Sequence, residues 1–487
     1  MSQPHELKNS KSKYSVGIGP NTRLKSRQIL GRNRSKYSVE IGPNTRLKSS
    51  QILGSFKAGT AGHNMNQYYK RVSDKVLQEH LESKGAVLIE GTKWCGKTTS
   101  AKRIAKSVIE MDSPDMTDQY QQMARIKPSN LLDGEVPHLI DEWQIAANLW
   151  NAVRHEVDRR GKFGQFILTG SSVPAKLDAS AHTGTGRIVR MKMRPMSLFE
   201  SGDSNGQVSL ADMFSGKDIS AADSHTIDAI AYLICRGGWP AALNHPEKIA
   251  LTQAYDFYDA VISDDISRAD GVKRNTDRTI RIMKSYARNI ATQASLETIR
   301  ADVVSNDLET FDKESLYSCL NALKMIHVIE DSPAWNPNLR SKTAIRSSDT
   351  RYFVDPSVAA AALGIGPADL INDLELMGLM FENLCVRDLR VYADAIGGNV
   401  YHYRDKTGLE CDAVVHLRNG SYGLIEIKLG GDQLISQGAE NLLRLADRID
   451  TGKMKKPAFL MVLCGVAPFA YKRSDGVCVV PVSCLRD

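Results

Sequence analysis

The chain has 487 residues, too many for one hydrophobic core at roughly 100–200 residues per domain, so several domains are expected. It is 42% hydrophobic and 24% charged, an ordinary globular balance, and no run of about 18 apolar residues appears, so neither a membrane span nor a membrane partner is expected. The net charge of +7 sits in residues 1–64, where 12 Lys/Arg stand against 2 Asp/Glu; the rest is slightly acidic and gives no general sign of nucleic-acid affinity.

The basic tail contains a tandem duplication. Residues 12–31 and 35–54 differ only at Gly17/Glu40 and Arg27/Ser50. Two copies are too few for a stacked repeat fold, so a disordered tail over 1–64 is expected. Met65, just before the first amphipathic helix, is an expected alternative start. The opening residues lack an apolar leader and the eight cysteines form no CxxC pair, so a cytoplasmic protein without a disulfide framework or zinc knuckle is expected.

Apolar residues at helical spacing (Tyr69, Val72, Val76, His80, Leu81) predict a helix over 66–83. Ala86-Val87-Leu88-Ile89 reads as a buried strand and runs into Gly91-Thr92-Lys93-Trp94-Cys95-Gly96-Lys97-Thr98, which fits GxxxxGK[ST]. A helical pattern through Ala101, Ile104 and Val108 follows, so strand, loop and helix stand in the order a phosphate loop needs. Backbone N–H groups of Gly91 to Gly96 would cradle phosphate, Lys97 would reach the β- and γ-phosphates, and Thr98 would ligate Mg²⁺, with Thr99 beside them. ATP and Mg²⁺ are therefore the expected ligands. About 45 residues later, His138 to Ile140 form an apolar strand ending in Asp141 and Glu142. Asp141 would hold the metal shell, and Glu142 would polarise the attacking water as the catalytic base. A further strand, Gln165 to Thr169, ends in Gly170-Ser171-Ser172, and Thr169 or Ser171 would either sense the γ-phosphate or simply cap the next turn.

These strands, with that at 187–192, match an AAA-type ATPase core. Together with GRIVRMKMRPMSLFES and RGGWPAAL, they resemble a bacterial and archaeal ATPase family. Its C-terminal domain, of unknown function, has a nuclease-like fold. The resemblance covers 65–487. It implies a helical lid whose Gly238-Trp239-Pro240 places Pro240 against the adenine, and Arg187 either as a charge sensor or arginine finger or as a surface residue.

Between 275 and 355, helical stripes (Ile280, Met283, Ala287, Ile290; then Leu316, Leu320, Leu323) precede His327–Glu330 and Arg351–Val354, read as strands flanking a basic stretch with Arg340, Lys342 and Arg346. This is either a winged helix, whose wing can lie on DNA phosphates, or a connector between domains. At the C-terminus, Glu410 to Val415 and Tyr422 to Lys428 read as neighbouring strands. Glu426 and Lys428 share a face, Asp412 stands on the adjacent strand, and Glu382 lies on the preceding helix. Acid, then acid-x-lysine, is the PD-(D/E)XK pattern. Asp412, Glu426 and Glu382 would bind Mg²⁺, and Lys428 would position or activate water in phosphodiester cleavage. The expected fold is α/β: a tail at 1–64, a P-loop ATPase core at 65–205, a helical lid at 206–272, a winged-helix-like domain at 273–355 and a PD-(D/E)XK nuclease-like domain at 356–487. Two functions follow from it. One is an ATPase coupled to a DNA-acting nuclease-like domain. The other is an ATP-switched binding module that does not cut.

Overall fold

The structure, a computed structural model, describes residues 68–171, 184–304, 312–337 and 348–487. The duplicated tail, Met65, Ser172 and the wing residues Arg340, Lys342 and Arg346 lie outside them. Among the described residues, no helix is long and apolar enough to cross a membrane.

The first sheet is fully parallel, with strands β1 (Ala86–Glu90), β2 (Ser107–Glu110), β3 (His138–Asp141), β4 (Phe166–Gly170) and β5 (Ile188–Lys192) in the order β2-β3-β4-β1-β5. Parallel strands require crossovers, and here the crossovers coat both faces of the sheet. Ala86, Leu88, Phe166 and Leu168 pack toward Trp143, Trp150 and Val153, the last two in the helix Leu149–Arg160. Val87, Ile89 and Ile167 pack toward α1 (Val72–Ser83) and α2 (Lys97–Ile104) through Leu77, Leu81 and Ala101. Burying each such aliphatic side chain contributes about 1.5–3 kcal/mol, which is why the strands are apolar on both sides. The first helix starts at Val72 rather than 66, because Arg71 is extended and its buried guanidinium reaches the loop after β1.

Residues 206–226 carry two two-residue strands, β6 (Val208–Ser209) and β7 (Ala221–Ala222); the longer helices begin at Ile227. α3 (Ile227–Arg236) and α4 (Glu247–Ala260) lead through a π-helical turn at Val261–Asp265 to α5 (Thr276–Arg288), α6 (Leu296–Val304) and α7 (Lys313–Met325). The two expected wing strands are reduced to isolated antiparallel bridges, Ile329 with Phe353 and Ser332 with Thr350. His327 takes a left-handed φ of 56°, so the chain turns sharply out of α7 before it can extend as a ladder.

After α8 (Pro356–Leu363), the 22-residue α9 (Leu374–Ala395) precedes a second sheet. β8 (Gly398–Arg404), β9 (Glu410–Leu417) and β10 (Tyr422–Gly430) form an antiparallel meander. β10 then pairs in parallel with β11 (Phe459–Val466) across α10 (Asp432–Arg448). β12 (Phe469–Lys472), β13 (Cys478–Pro481) and β7 extend this sheet, and β14 (Leu485–Arg486) pairs with β6. The chain after the first sheet is thus stitched into the last domain by backbone pairing.

Candidate nucleotide site and C-terminal carboxylate pair

Because β1, β3 and β4 run parallel, their C-terminal ends emerge along one edge of the sheet. That edge carries the loop Gly91–Gly96, then Asp141-Glu142, then Thr169, and the crevice outside strand C-termini is where open α/β sheets bind ligands. Gly91 is required by close approach: a Cβ there would lie 2.0 Å from the Met193 carbonyl oxygen. Gly96 is required by conformation, with φ of 100° at the start of α2. The Lys97 ammonium is buried inside the loop, donating to the carbonyls of Gly91 at 2.9 Å and Thr92 at 2.8 Å. The buried Thr92 hydroxyl has no hydrogen-bond partner, so the loop holds polar capacity that a phosphate oxygen would satisfy.

Thr98 donates its hydroxyl to Asp141 Oδ1 at 2.9 Å, and Thr169 donates to the same oxygen. A threonine hydroxyl beside a carboxylate at the loop is the hard-oxygen donor set that suits Mg²⁺, so these residues fit the ion. Thr169 thereby joins the Asp141 cluster. Glu142 follows with a left-handed φ of 50°, an unfavourable conformation for a non-glycine residue that turns it away from the strand and into the cleft. Burial raises its pKa; a hydrogen bond from Gln144 and the charge of Lys97 lower it part of the way back, while Asp141 and Asp112 raise it further. Pro240 stands over the loop, its ring 3.7 Å from where a Gly96 Cβ would be. Thr99, the residue after Thr98, lies in the first turn of α2.

Arg187 does not reach this site within its own chain. It precedes Ile188, which is in register with Ala86 at the start of β1, so it stands at the opposite end of the sheet, where it pairs with Asp158 at 2.8 Å. Three site residues escape sequence reading. Arg71 donates to the Cys95 carbonyl at 2.6 Å and to Glu200 Oε1 at 3.0 Å, bracing the loop from behind. Lys93 forms an ion pair with Asp265. Gln144 holds Glu142. The Ser197–Glu200 capping-box spacing was the one local signal, since Glu200 both caps its helix and anchors Arg71.

In the C-terminal sheet, Asp412, Glu426 and Lys428 do come together. The Lys428 ammonium lies 3.0 Å from Asp412 Oδ2 and 2.6 Å from Glu426 Oε2. The Ile427 N–H donates to Asp412 at 2.9 Å, and Asn441 of α10 donates to Glu426 Oε1 at 2.9 Å. Glu382, expected as a third metal ligand, accepts a hydrogen bond from the buried Tyr352 hydroxyl at 2.7 Å. Burial, with the nearby Glu382 and Asp412 charges, holds that phenol well above its usual pKa. Among the described residues, no group of three or more His, Cys, Asp and Glu side chains is arranged to hold a metal ion. In this structure the cation between Asp412 and Glu426 is the Lys428 ammonium.

Residues 83–201 match the family model of an AAA domain. The match spans the loop at 91–98, Asp141-Glu142 and Thr169, and nucleotide binding is the property on which match and geometry agree. Residues 227–369 match a domain of unknown function (DUF8612), and 377–485 match another (DUF4143). Uncharacterized proteins of Mycobacterium tuberculosis and Mycobacterium bovis are each 22% identical over 403 residues, covering 79% of this chain and 81% of theirs. Among solved structures, C. elegans PCH-2 is 16% identical with a TM-score of 0.18, over 50% of this chain and 60% of that one. The FIGL-1 AAA domain in complex with ADP is 13% identical with a TM-score of 0.19, over 63% and 92%.

Proposed function

We propose that this chain is an Mg²⁺-dependent ATPase whose nucleotide cycle acts on the middle helices and the C-terminal sheet domain. The observation that supports it most is the meeting of Lys97, Thr98, Asp141, Glu142 and Thr169 at one sheet edge. Bound Mg²⁺, held by Thr98 and Asp141, would offset charge on the phosphate oxygens. Lys97 exchanges its two carbonyl partners for phosphate, and Glu142, oriented by Gln144, takes the proton of the attacking water. Glu142→Gln is expected to keep ATP bound while hydrolysis falls about 10²-fold or more, measured by phosphate release against binding of a fluorescent ATP analogue. The base acts deprotonated, so kcat falls as pH drops through a pKa that burial raises from the ordinary glutamate value. Gln144→Ala, which removes a hydrogen bond that favours the charged form, should move that acid limb to still higher pH.

We read the C-terminal domain as nuclease-like, on the order α9, β8-β9-β10, α10, β11 and on the convergence of Asp412, Glu426 and Lys428. A specific observation favours a domain that binds without cutting. Asp412, Glu426 and Lys428 are 6, 2 and 5% exposed and already satisfy one another. DNA is the partner the nuclease reading implies, and a cytoplasmic setting accords with eight buried, unpaired cysteines among the described residues. Calorimetric titration of the full chain with Mg²⁺ or Mn²⁺ separates the readings. On the switch reading, Asp412→Ala and Glu426→Ala leave the heat of cation binding unchanged, and duplex DNA stays intact. Loss of a binding event in both variants, with cleavage by the wild type, supports the nuclease.

A further inference from the structure

A cavity of about 340 Å³ lies between Gly91, the end of β5 and the turn after α7. Ile326 and Val328 line the nucleotide cleft, while His327 and Ile329 line this cavity, so one short segment forms a wall of both. Three hydrogen-bond donors border it from separate places: Lys192 ends β5, Lys324 lies in the last turn of α7, and His327 follows that helix. Both lysines are surplus to the ion pairs they make. Lys192 lies 3.1 Å from Glu330, but that carboxylate already receives both arms of the Arg194 guanidinium, at 2.9 and 2.8 Å. Lys324 lies 2.8 Å from Asp331, which also accepts from Arg351 at 2.8 Å and from the Tyr286 hydroxyl. The side chains of Lys192 and Lys324 are 39 and 45% exposed, whereas those of Arg194 and Arg351 are 9 and 11% exposed. Half-exposed lysine pairs contribute little and rearrange readily, so both ammoniums can turn to an arriving anion while Glu330 and Asp331 stay satisfied.

We propose that this cavity binds a phosphoryl group, either inorganic phosphate or that of a small phosphorylated metabolite, at a site separate from the phosphate loop. The His327 Nε2 atom is buried with no hydrogen-bond partner, a deficit that a bound oxygen satisfies. Burial, then the charge of Lys192, pushes the His327 pKa down to about 4. The ring is therefore neutral near pH 7 and can carry its proton on Nε2 as a donor. Donors arriving from three separate elements suit a tetrahedral oxyanion, whose oxygens diverge, better than a planar carboxylate. Two ammoniums supply the charge-assisted hydrogen bonds, and each moves only its flexible stem to do so. Asp349 also lines the cavity, and its charge disfavours a ligand with a second anionic group on that side. The ligand is held without covalent change, and the site does not depend on the ATPase reading.

The test is equilibrium dialysis of the full chain against radiolabelled inorganic phosphate, with Lys97→Ala as the background that silences the phosphate loop. Saturable phosphate binding is expected to persist in Lys97→Ala. Its affinity should fall about tenfold or more when Lys192→Met, Lys324→Met or His327→Phe is added, as for loss of a hydrogen bond to a charged group. Melting temperatures without phosphate that match the background would show that the loss is not misfolding. Competition by glycerol phosphate identifies the occupant: tighter than unlabelled phosphate marks a phosphorylated metabolite, and weaker or equal marks free phosphate. Binding that vanishes in Lys97→Ala belongs to the phosphate loop and would overturn the inference. So would an affinity unchanged in all three added variants, displacement by chloride as effective as by phosphate, or no saturable binding at millimolar phosphate. A wild-type chain that binds no ATP, beside a Lys97→Ala chain that still takes up phosphate, would sink the ATPase reading and leave this site standing.

Discussion

Lys97→Ala is expected to weaken ATP binding by about 30-fold or more. The Lys97 ammonium is buried in the loop, and two backbone carbonyls already hold it on a line through Gly91 and Thr92. A phosphate arriving at the loop therefore meets a cation whose desolvation and side-chain ordering are already complete, the condition under which a charge-assisted hydrogen bond contributes most. Truncating one member of such a buried charge pair typically costs about 2–5 kcal/mol, or more than about 30-fold in Kd. Among the described residues, the nearby cations are engaged elsewhere. Lys93 is held by Asp265 and Arg71 lies behind the loop. The measurement is the rise in melting temperature with added Mg²⁺-ATP, which follows from mass action on the folded state. Wild-type protein should show a dose-dependent rise, and Lys97→Ala should show almost none over the same concentrations. An equal rise in both proteins would place the nucleotide elsewhere.

The parts of this site that were legible in the sequence are those whose cause is local. A buried parallel strand must be apolar on both faces, so Ala86–Ile89, His138–Ile140 and Phe166–Leu168 announce themselves. The loop between β1 and α2 must have glycine where a carbonyl crowds it and where φ is positive, which are the positions Gly91 and Gly96 occupy. The β9–β10 hairpin was equally readable, because strict alternation puts Glu426 and Lys428 on one face. What escaped depends on contacts distant in sequence. Nothing near Lys93 signals Asp265, and nothing near Val208 or Ala221 signals that they pair with β14 and β12 at the end of the chain. The segment His327–Glu330 was misread as a full strand for a related reason. Val328 and Ile329 favour extension, but His327 is left-handed and the Glu330 carboxylate is drawn to Arg194 at 2.8 Å and Lys192 at 3.1 Å. Tertiary charge pairing there overrides local propensity.

Arg387→Ala is expected to be the most destabilising single change, by about 3–5 kcal/mol. Arg387 lies in the middle of α9, effectively inaccessible, and its guanidinium reaches Asp355 Oδ2 at 2.7 Å and Asp388 Oδ1 at 2.8 Å, both carboxylates being fully buried. Removing the arginine leaves two carboxylates in an apolar interior with no cation, and it is this uncompensated charge, more than the lost bonds, that sets the cost. The same triad joins separate parts of the chain. Asp355 Oδ2 accepts the Gly238 N–H at 2.9 Å, just ahead of Trp239 and Pro240, and Asp388 Oδ2 accepts the Leu198 N–H at 3.0 Å at the start of the helix that carries Glu200. Glu200 in turn anchors Arg71 behind the phosphate loop. Loss of Arg387 should therefore reach the nucleotide site as well, loosening Pro240 over Gly96 and exposing the Trp239 indole, whose N–H now donates to Ser357 at 2.9 Å. Denaturant midpoints measure the stability change, and a red shift of tryptophan emission in the folded variant reports the loosened turn. Adding Asp355→Asn and Asp388→Asn to Arg387→Ala should recover part of the stability, since neutral amides carry a smaller desolvation penalty than stranded carboxylates. If the triple variant is no more stable than Arg387→Ala alone, buried charge is not what makes this residue indispensable.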